Sequence, residues 1–187
     1  MERIIKTVKG KYEIETVKLV KEVFTEHSDE EEGKITSSLV QEIRGMDTYV
    51  PELELVMVNE NDEPIGYVLF SELTLDGKYK KELLIISSAA VKTSLQRQHI
   101  SKDLIEYGFE KAKEMGYKAV VVEGNPQNYN NRGFETSKPY GIVAAPSVGL
   151  PADECLMVKW LDESYKGKIC GAVDYSVYKS LSGGNNE

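Results

Sequence analysis

Cysteine and histidine are scarce in this chain, with two of each in 187 residues. Cys155 and Cys170 lie far apart, and no C-x-x-C occurs. Neither a disulfide scaffold nor a zinc site is expected, and no metal; the two thiols read as packing residues. Long apolar runs are lacking too. Segments such as Ala119-Val120-Val121-Val122 fall far short of the about 20 residues that span a bilayer. Met1-Glu2-Arg3-Ile4-Ile5-Lys6 has no apolar signal region. A cytosolic location with no membrane partner is expected. Positive charge is in deficit: 23 Lys and Arg against 31 Asp and Glu leave a net charge of −8. That argues against a dedicated nucleic-acid binder, which needs a basic face against phosphates. The absence of a G-x-G-x-x-G after a strand, and of a P-loop, argues against a Rossmann-type nucleotide binder. No repeat at solenoid spacing occurs.

What is present is ordinary for a soluble globular protein, with 41% hydrophobic and 29% charged residues. The length predicts a single domain over residues 1–181, and the polar tail 182–187 reads as disordered. The acidic run Asp29 to Glu32, closed by Gly33, reads as a solvated loop. Ile14, Val17, Leu19, Val20 and Phe24 recur near helical spacing, predicting an amphipathic helix over Tyr12 to Phe24. A second, shorter helix is expected from Ser37 to Ile43. Leu53 to Asn59 and Ile65 to Leu73 flank the polar turn Glu60 to Pro64 and predict an antiparallel hairpin. Glu82 to Val91 reads as a strand buried on both faces. Ile100, Leu104, Ile105, Phe109, Ala112 and Met115 mark one face of a helix that Gly116 stops. Lys118 to Glu123 reads as the next strand. Residues 82–123 thus form a βαβ unit with parallel strands and a right-handed crossover. The fold class is α/β, a mixed sheet sandwiched by helices, with antiparallel N-terminal strands and a central parallel βαβ unit.

Two loops of this unit carry chemistry. Lys92 to Ser101 leads into a helix N-terminus, where unpaired N–H groups and the helix dipole favour an anion; Lys92, Arg97 and Lys102 add positive charge. Glu123 to Phe134 follows a buried strand and contains Tyr129, a residue able to donate a proton. Both loops fall at the C-terminal ends of parallel strands, where α/β folds gather ligands.

From residue 50 to 145 the pattern resembles the GNAT superfamily of acyl-CoA-dependent N-acetyltransferases. Gln96-Arg97-Gln98-His99-Ile100-Ser101 occupies the family's Gln/Arg-x-x-Gly-x-Gly/Ala slot, after Ala89-Ala90-Val91, which is similar to its Leu-Ala-Val strand end. Gly116-Tyr117-Lys118-Ala119-Val120 is similar to the turn into the next strand. Gly124-Asn125-Pro126, Tyr129 and Gly133-Phe134 resemble the Gly-x-Pro-x-x-Tyr-x-x-x-Gly-Phe of one predicted-acetyltransferase branch. Tyr140-Gly141-Ile142, Glu154 to Leu161 and Gly171-x-Val173-x-Tyr175 continue that match.

The resemblance implies transfer of an acetyl group from acetyl-CoA, as co-substrate, to a primary amine of a small molecule or peptide. It implies that Ala90 and Val91 offer backbone groups to the pantetheine arm, that Gln96, Arg97, Gln98, His99, Ile100 and Ser101 hold the pyrophosphate, and that Asn125 assists cofactor binding. Tyr129 would protonate the departing thiolate. Among Glu82, Glu123 and His99, Glu123 ranks first as base. Trp160 is expected to pack in the core, and Tyr140, Tyr175 and Tyr178 to line the acceptor side. A homodimer through an exposed edge strand is a further expectation. His99 and Ser101 stand where the family has glycines, and this defines the alternative: a catalytically impaired GNAT-fold binding module with a weakened CoA site.

Overall fold

The computed structural model describes residues 2–182; of the predicted tail 182–187, only Ser182 lies among them. In chain order the elements are β1 (Ile4–Thr7), α1 (Lys11–His27), α2 (Glu30–Arg44), β2 (Tyr49–Val58), β3 (Pro64–Leu75), β4 (Lys78–Val91), α3 (Ile100–Glu114), β5 (Ala119–Glu123), α4 (Pro126–Tyr129), β6 (Glu135–Thr136), β7 (Ile142–Ala144), β8 (Leu156–Trp160) and β9 (Gly171–Val173). Seven strands make one mostly antiparallel sheet in the order β1-β2-β3-β4-β5-β8-β6, and β7 pairs with β9 in a second. β4 and β5 are parallel, with Leu83 opposite Ala119 and Ile85 opposite Val121. The mixed α/β class and the parallel unit expected around α3 are therefore present.

The chain divides into two compact units. Among the described residues the first comprises 2–70, 87–108 and 178–182. Here α1 buries Tyr12, Thr16, Leu19, Val20 and Val23, a stripe at helical spacing. The sequence placed Ile14 on this face, but it is 65% exposed. Two residues with polar tips hold the stripe instead. The Tyr12 hydroxyl donates to Asp62, and the Thr16 hydroxyl donates to the Tyr12 carbonyl within the helix.

The acidic run is not a loop. Asp29 is the N-cap of α2, its carboxylate accepting from the Glu32 N–H at 2.8 Å, and Glu30 to Glu32 fill a first turn that the helix dipole favours for acids. Gly33 lies inside the helix, so α2 is longer than the segment 37–43 predicted. A Cβ there would fall 2.1 Å from Thr25 Oγ1 and 2.7 Å from the Lys21 carbonyl, so the missing side chain lets α1 and α2 touch. Against β3, α3 approaches as closely: a Cβ on Gly66 would meet Ile100 at 2.4 Å.

One charged residue sits in this interior. Glu54 of β2 is fully buried. Its Oε1 accepts from Arg44 Nη2 at 2.6 Å and from the Tyr67 hydroxyl at 2.7 Å; its Oε2 accepts from the Tyr49 hydroxyl at 2.6 Å. Arg44 also donates to Thr16 Oγ1 and to the Glu13 carbonyl. The network ties α1, α2, β2 and β3 with every carboxylate oxygen satisfied, which a buried charge requires.

The second unit comprises residues 71–86 and 109–177. Leu75, Leu83, Ile85, Val121, Val158 and Trp160 belong to its core. β8 runs antiparallel to β5, with Trp160 opposite Ala119. Trp160 packs in the core as expected, with the Tyr140 ring edge-on at 5.6 Å. Met115, expected on the apolar face of α3, is 44% exposed, because the helix ends at Glu114 and Gly116 turns the chain at φ +91°. Both cysteines are free. Cys155 is half-buried, but Cys170 is exposed rather than packed, since it sits between Ile169, which is buried, and Gly171 at the edge of β9.

Candidate functional site

The loop before α3 lies wholly in the first unit. β4 ends with Ala90 buried and Val91 half-buried, and Lys92 N–H donates to the Ile65 carbonyl at 3.1 Å. A short 3-10 turn over Thr93–Leu95 follows. Arg97 and His99 then take left-handed backbone angles, φ +62° and +64°. His99 thus adopts the conformation that glycine supplies without cost. Ser101 lies in the first turn of α3 and needs no such angle. The N–H groups of Arg97, Gln98 and His99 have no hydrogen-bond partner among the described residues. The His99 carbonyl accepts from Asp103 N–H at 2.9 Å, so the helix starts from it. Ile100 is only 1% exposed; its side chain belongs to the core, and only its backbone can serve a ligand.

Three side chains that sequence reasoning did not single out hold this loop. Arg3 donates through Nη1 to the Gln98 carbonyl at 2.8 Å and through Nη2 to Gln98 Oε1 at 2.6 Å. The Thr93 hydroxyl donates to Glu26. The Gln96 amide lies 2.9 Å from His27 Nε2, while His27 Nδ1 lies 2.8 Å from the Val23 carbonyl. A carbonyl can only accept, so Nδ1 carries the proton and Nε2 accepts from Gln96. No local motif announces these partners.

The second segment lies in the other unit and is built from residues close in sequence. Glu123 ends β5, half-buried, opposite Leu156. A Cβ on Gly124 would sit 2.7 Å from the Tyr129 ring, so this glycine makes room for the tyrosine. The Asn125 side chain accepts from Gln127 N–H at 3.0 Å and caps α4, whose first residue is Pro126. The side-chain oxygen of Asn125 is thus engaged in capping. Gly133 turns the chain at φ +80°. Phe134, 3% exposed, meets Tyr129 edge-on at 5.5 Å and Phe109 at 5.7 Å. The Arg132 guanidinium lies 5.6 Å from the Tyr129 ring centre. Gly124, Phe134 and Arg132 thus surround the Tyr129 ring, while Asn125, Pro126 and Gly133 shape the short helix and the turn that carry it.

Burial pushes the Tyr129 phenol above its ordinary value, and the Arg132 cation offsets this only in part. At neutral pH the phenol is protonated. Its hydroxyl has no hydrogen-bond partner among the described residues. Neither the Glu123 nor the Glu82 carboxylate makes an ion pair among them. His99 is exposed in the first unit's loop. Tyr140 packs on Trp160 and donates to Glu135 at 3.2 Å, and Tyr178 is buried. Among the described residues no group of three or more His, Cys, Asp or Glu could hold a metal ion, and no helix is long and apolar enough to cross a membrane.

A family model for the acetyltransferase (GNAT) family matches residues 19–135. An uncharacterized N-acetyltransferase of Escherichia coli, YhbS, is 31% identical over 90 residues, 48% of this chain and 53% of that protein. The chain thus spans about half the length of the curated relatives it matches. The crystal structure of YhbS in complex with CoA is similar with a TM-score of 0.81 at 22% identity, covering 94% of this chain and 91% of the other. A GNAT family acetyltransferase from Brucella melitensis in complex with acetyl-CoA is similar with a TM-score of 0.64 at 19% identity, covering 72% and 83%. At such identities the structural likenesses speak to the fold.

Proposed function

The chain belongs to the acetyltransferase (GNAT) family, and from that premise we propose that it transfers an acetyl group from acetyl-CoA to a primary amine of a small molecule or peptide. The observation that carries the reading is the backbone of residues 96–99. His99 keeps the left-handed angle of a glycine position, and the N–H groups of Arg97, Gln98 and His99 are left to an anion. An anion at a helix N-terminus meets both these donors and the helix dipole, and Arg97 adds a full charge.

In this proposal Gln96 to Ser101 cradle the pyrophosphate through backbone groups and Arg97. Ala90 and Val91 offer their main chain to the pantetheine arm, and a backbone N–H there polarises the thioester carbonyl. Asn125 contributes through its backbone, since its side chain caps α4. The amine attacks the acetyl carbonyl, the carbon–sulfur bond breaks, and Tyr129 protonates the leaving thiolate. The amine must first lose a proton. Glu123 takes it, directly or through a water; its carboxylate is committed to no other partner among the described residues. A cytosolic location and pairing of two copies through a sheet edge belong to the same proposal, the second open to analytical ultracentrifugation.

Calorimetric titration with acetyl-CoA tests the reading first, and an amine panel follows. Micromolar binding is expected, and absence of binding up to millimolar would sink it. In Tyr129→Phe the turnover number is expected to fall by about 10²-fold with acetyl-CoA affinity unchanged, because the ring and its packing on Phe134 remain. Unchanged turnover would remove Tyr129 from the mechanism.

A further inference from the structure

Only a few per cent of non-glycine residues occupy the left-handed region of backbone space. The candidate pyrophosphate loop places two such residues, Arg97 and His99, on either side of Gln98. Neither the Arg97 nor the His99 side chain makes a hydrogen bond among the described residues that would hold this shape. The residue between them is gripped from outside. We propose that Arg3 is a positioning residue for the cofactor loop: its guanidinium fixes the Gln98 peptide and keeps the flanking non-glycine residues in the anion-binding conformation, doing for this loop what glycines do in the family signature.

The geometry suits the task. Arg3 uses the planar fork of a guanidinium, with one nitrogen on the Gln98 carbonyl at 2.8 Å and the other on its side-chain oxygen at 2.6 Å. Lysine cannot make that paired contact from one rigid group. In a trans peptide the carbonyl and the next N–H point to opposite sides. Holding the Gln98 carbonyl toward Arg3 therefore turns the His99 N–H away from it. The approach to the loop is secured separately by the end of α1, through Glu26 on Thr93 and His27 on Gln96. With both ends fixed, Gln98 is the point about which the two left-handed residues could relax.

The inference rests on the reading of residues 96–101 as the CoA pyrophosphate site, and the test separates the two. Backbone ¹⁵N relaxation of the ligand-free protein reports the loop itself. In wild type, residues 97–99 should show order parameters near the rigid-backbone value of about 0.85, falling below about 0.6 in Arg3→Ala. Calorimetric titration with CoA reports the site. Arg3→Ala should bind about tenfold more weakly, since the binding-competent fraction falls once two charge-assisted bonds are lost. The same change made in a His99→Gly background should cost about threefold or less, because glycine reaches the left-handed region unaided. Equal losses in both backgrounds would overturn the proposal, as Arg3 would then be touching CoA or supporting the whole fold. Unchanged order parameters at 97–99 in Arg3→Ala would overturn it outright. Failure of the wild type to bind CoA would remove the cofactor reading, and the relaxation measurement would still decide whether Arg3 shapes the loop.

Discussion

Arg44 and Arg3 each spread a guanidinium over two acceptors of one residue on another element, yet their surroundings give the two contacts different work. The Arg44 side chain is 17% exposed, and Glu54, its partner, is fully buried. Burial alone would weaken the charge on Arg44, but the carboxylate more than offsets it and holds the guanidinium above its ordinary value. Arg3 grips a neutral, exposed glutamine, where water competes for every bond. The first contact sets whether α1 and α2 stay on the sheet. The second can set only the shape of a short loop. Burial, more than the chemistry of the donor, decides which contact carries fold stability.

The largest effect should come from breaking the buried contact. Glu54→Gln leaves Arg44 without its counter-ion and is expected to destabilise by about 3–5 kcal/mol, the cost of removing one partner of a buried pair. The midpoint of urea unfolding measures it. A loss below about 1 kcal/mol would mean that water reaches this pair as it does a surface one.

A smaller effect should appear at alkaline pH. The Tyr49 and Tyr67 hydroxyls both donate to Glu54. Burial first, and then the carboxylate, push both phenols well above their ordinary range. Above pH about 10 the unfolded chain releases these protons and the folded protein does not. The folded state then binds more protons, so stability falls as pH rises, by up to about 1.4 kcal/mol per pH unit for each tyrosine. Unfolding of wild type and Tyr49→Phe, compared between pH 8 and 11, isolates one of them. The variant should show the shallower decline, and parallel slopes would show that Tyr49 ionises as readily folded as unfolded.

What could be read from the sequence follows from how local each device is. The helix at Ile100 was legible because its apolar residues recur at the helical period. The segment around Tyr129 was legible because Gly124, Pro126, Gly133 and Phe134 do their work within a few residues of it. Charge patterns misled where one composition serves two structures. Asp29 to Glu32 suits a solvated loop, but it suits the capped first turn of α2 better, and Gly33 marks a helix crossing rather than a stop. Glu54 looks like the polar member of an alternating strand between Leu53 and Leu55. Tyr49 shares its strand, but Arg44 and Tyr67 come from α2 and β3, so the sequence around Glu54 does not show that it is buried. His99 was legible as a departure from the glycine pattern, but its backbone angle and the support from Arg3 were not, because Arg3 and Gln98 are 95 residues apart.

The smallest effect is the one that separates the two arginines. Arg3→Ala gives up two hydrogen bonds at an exposed site, and water takes over both acceptors without leaving a buried group unpaired. Its cost to global stability should stay within about 0.5 kcal/mol, the range of ordinary surface changes. Urea unfolding under the conditions used for Glu54→Gln checks this. A loss of several kcal/mol would place Arg3 with Arg44 as a support of the fold, and any weakened CoA binding would then be a symptom of partial unfolding. A negligible loss beside a loosened loop would show that the loop's shape is held by bonds too weak to matter to the fold, which is the condition for a binding loop to vary in sequence while the scaffold beneath it does not.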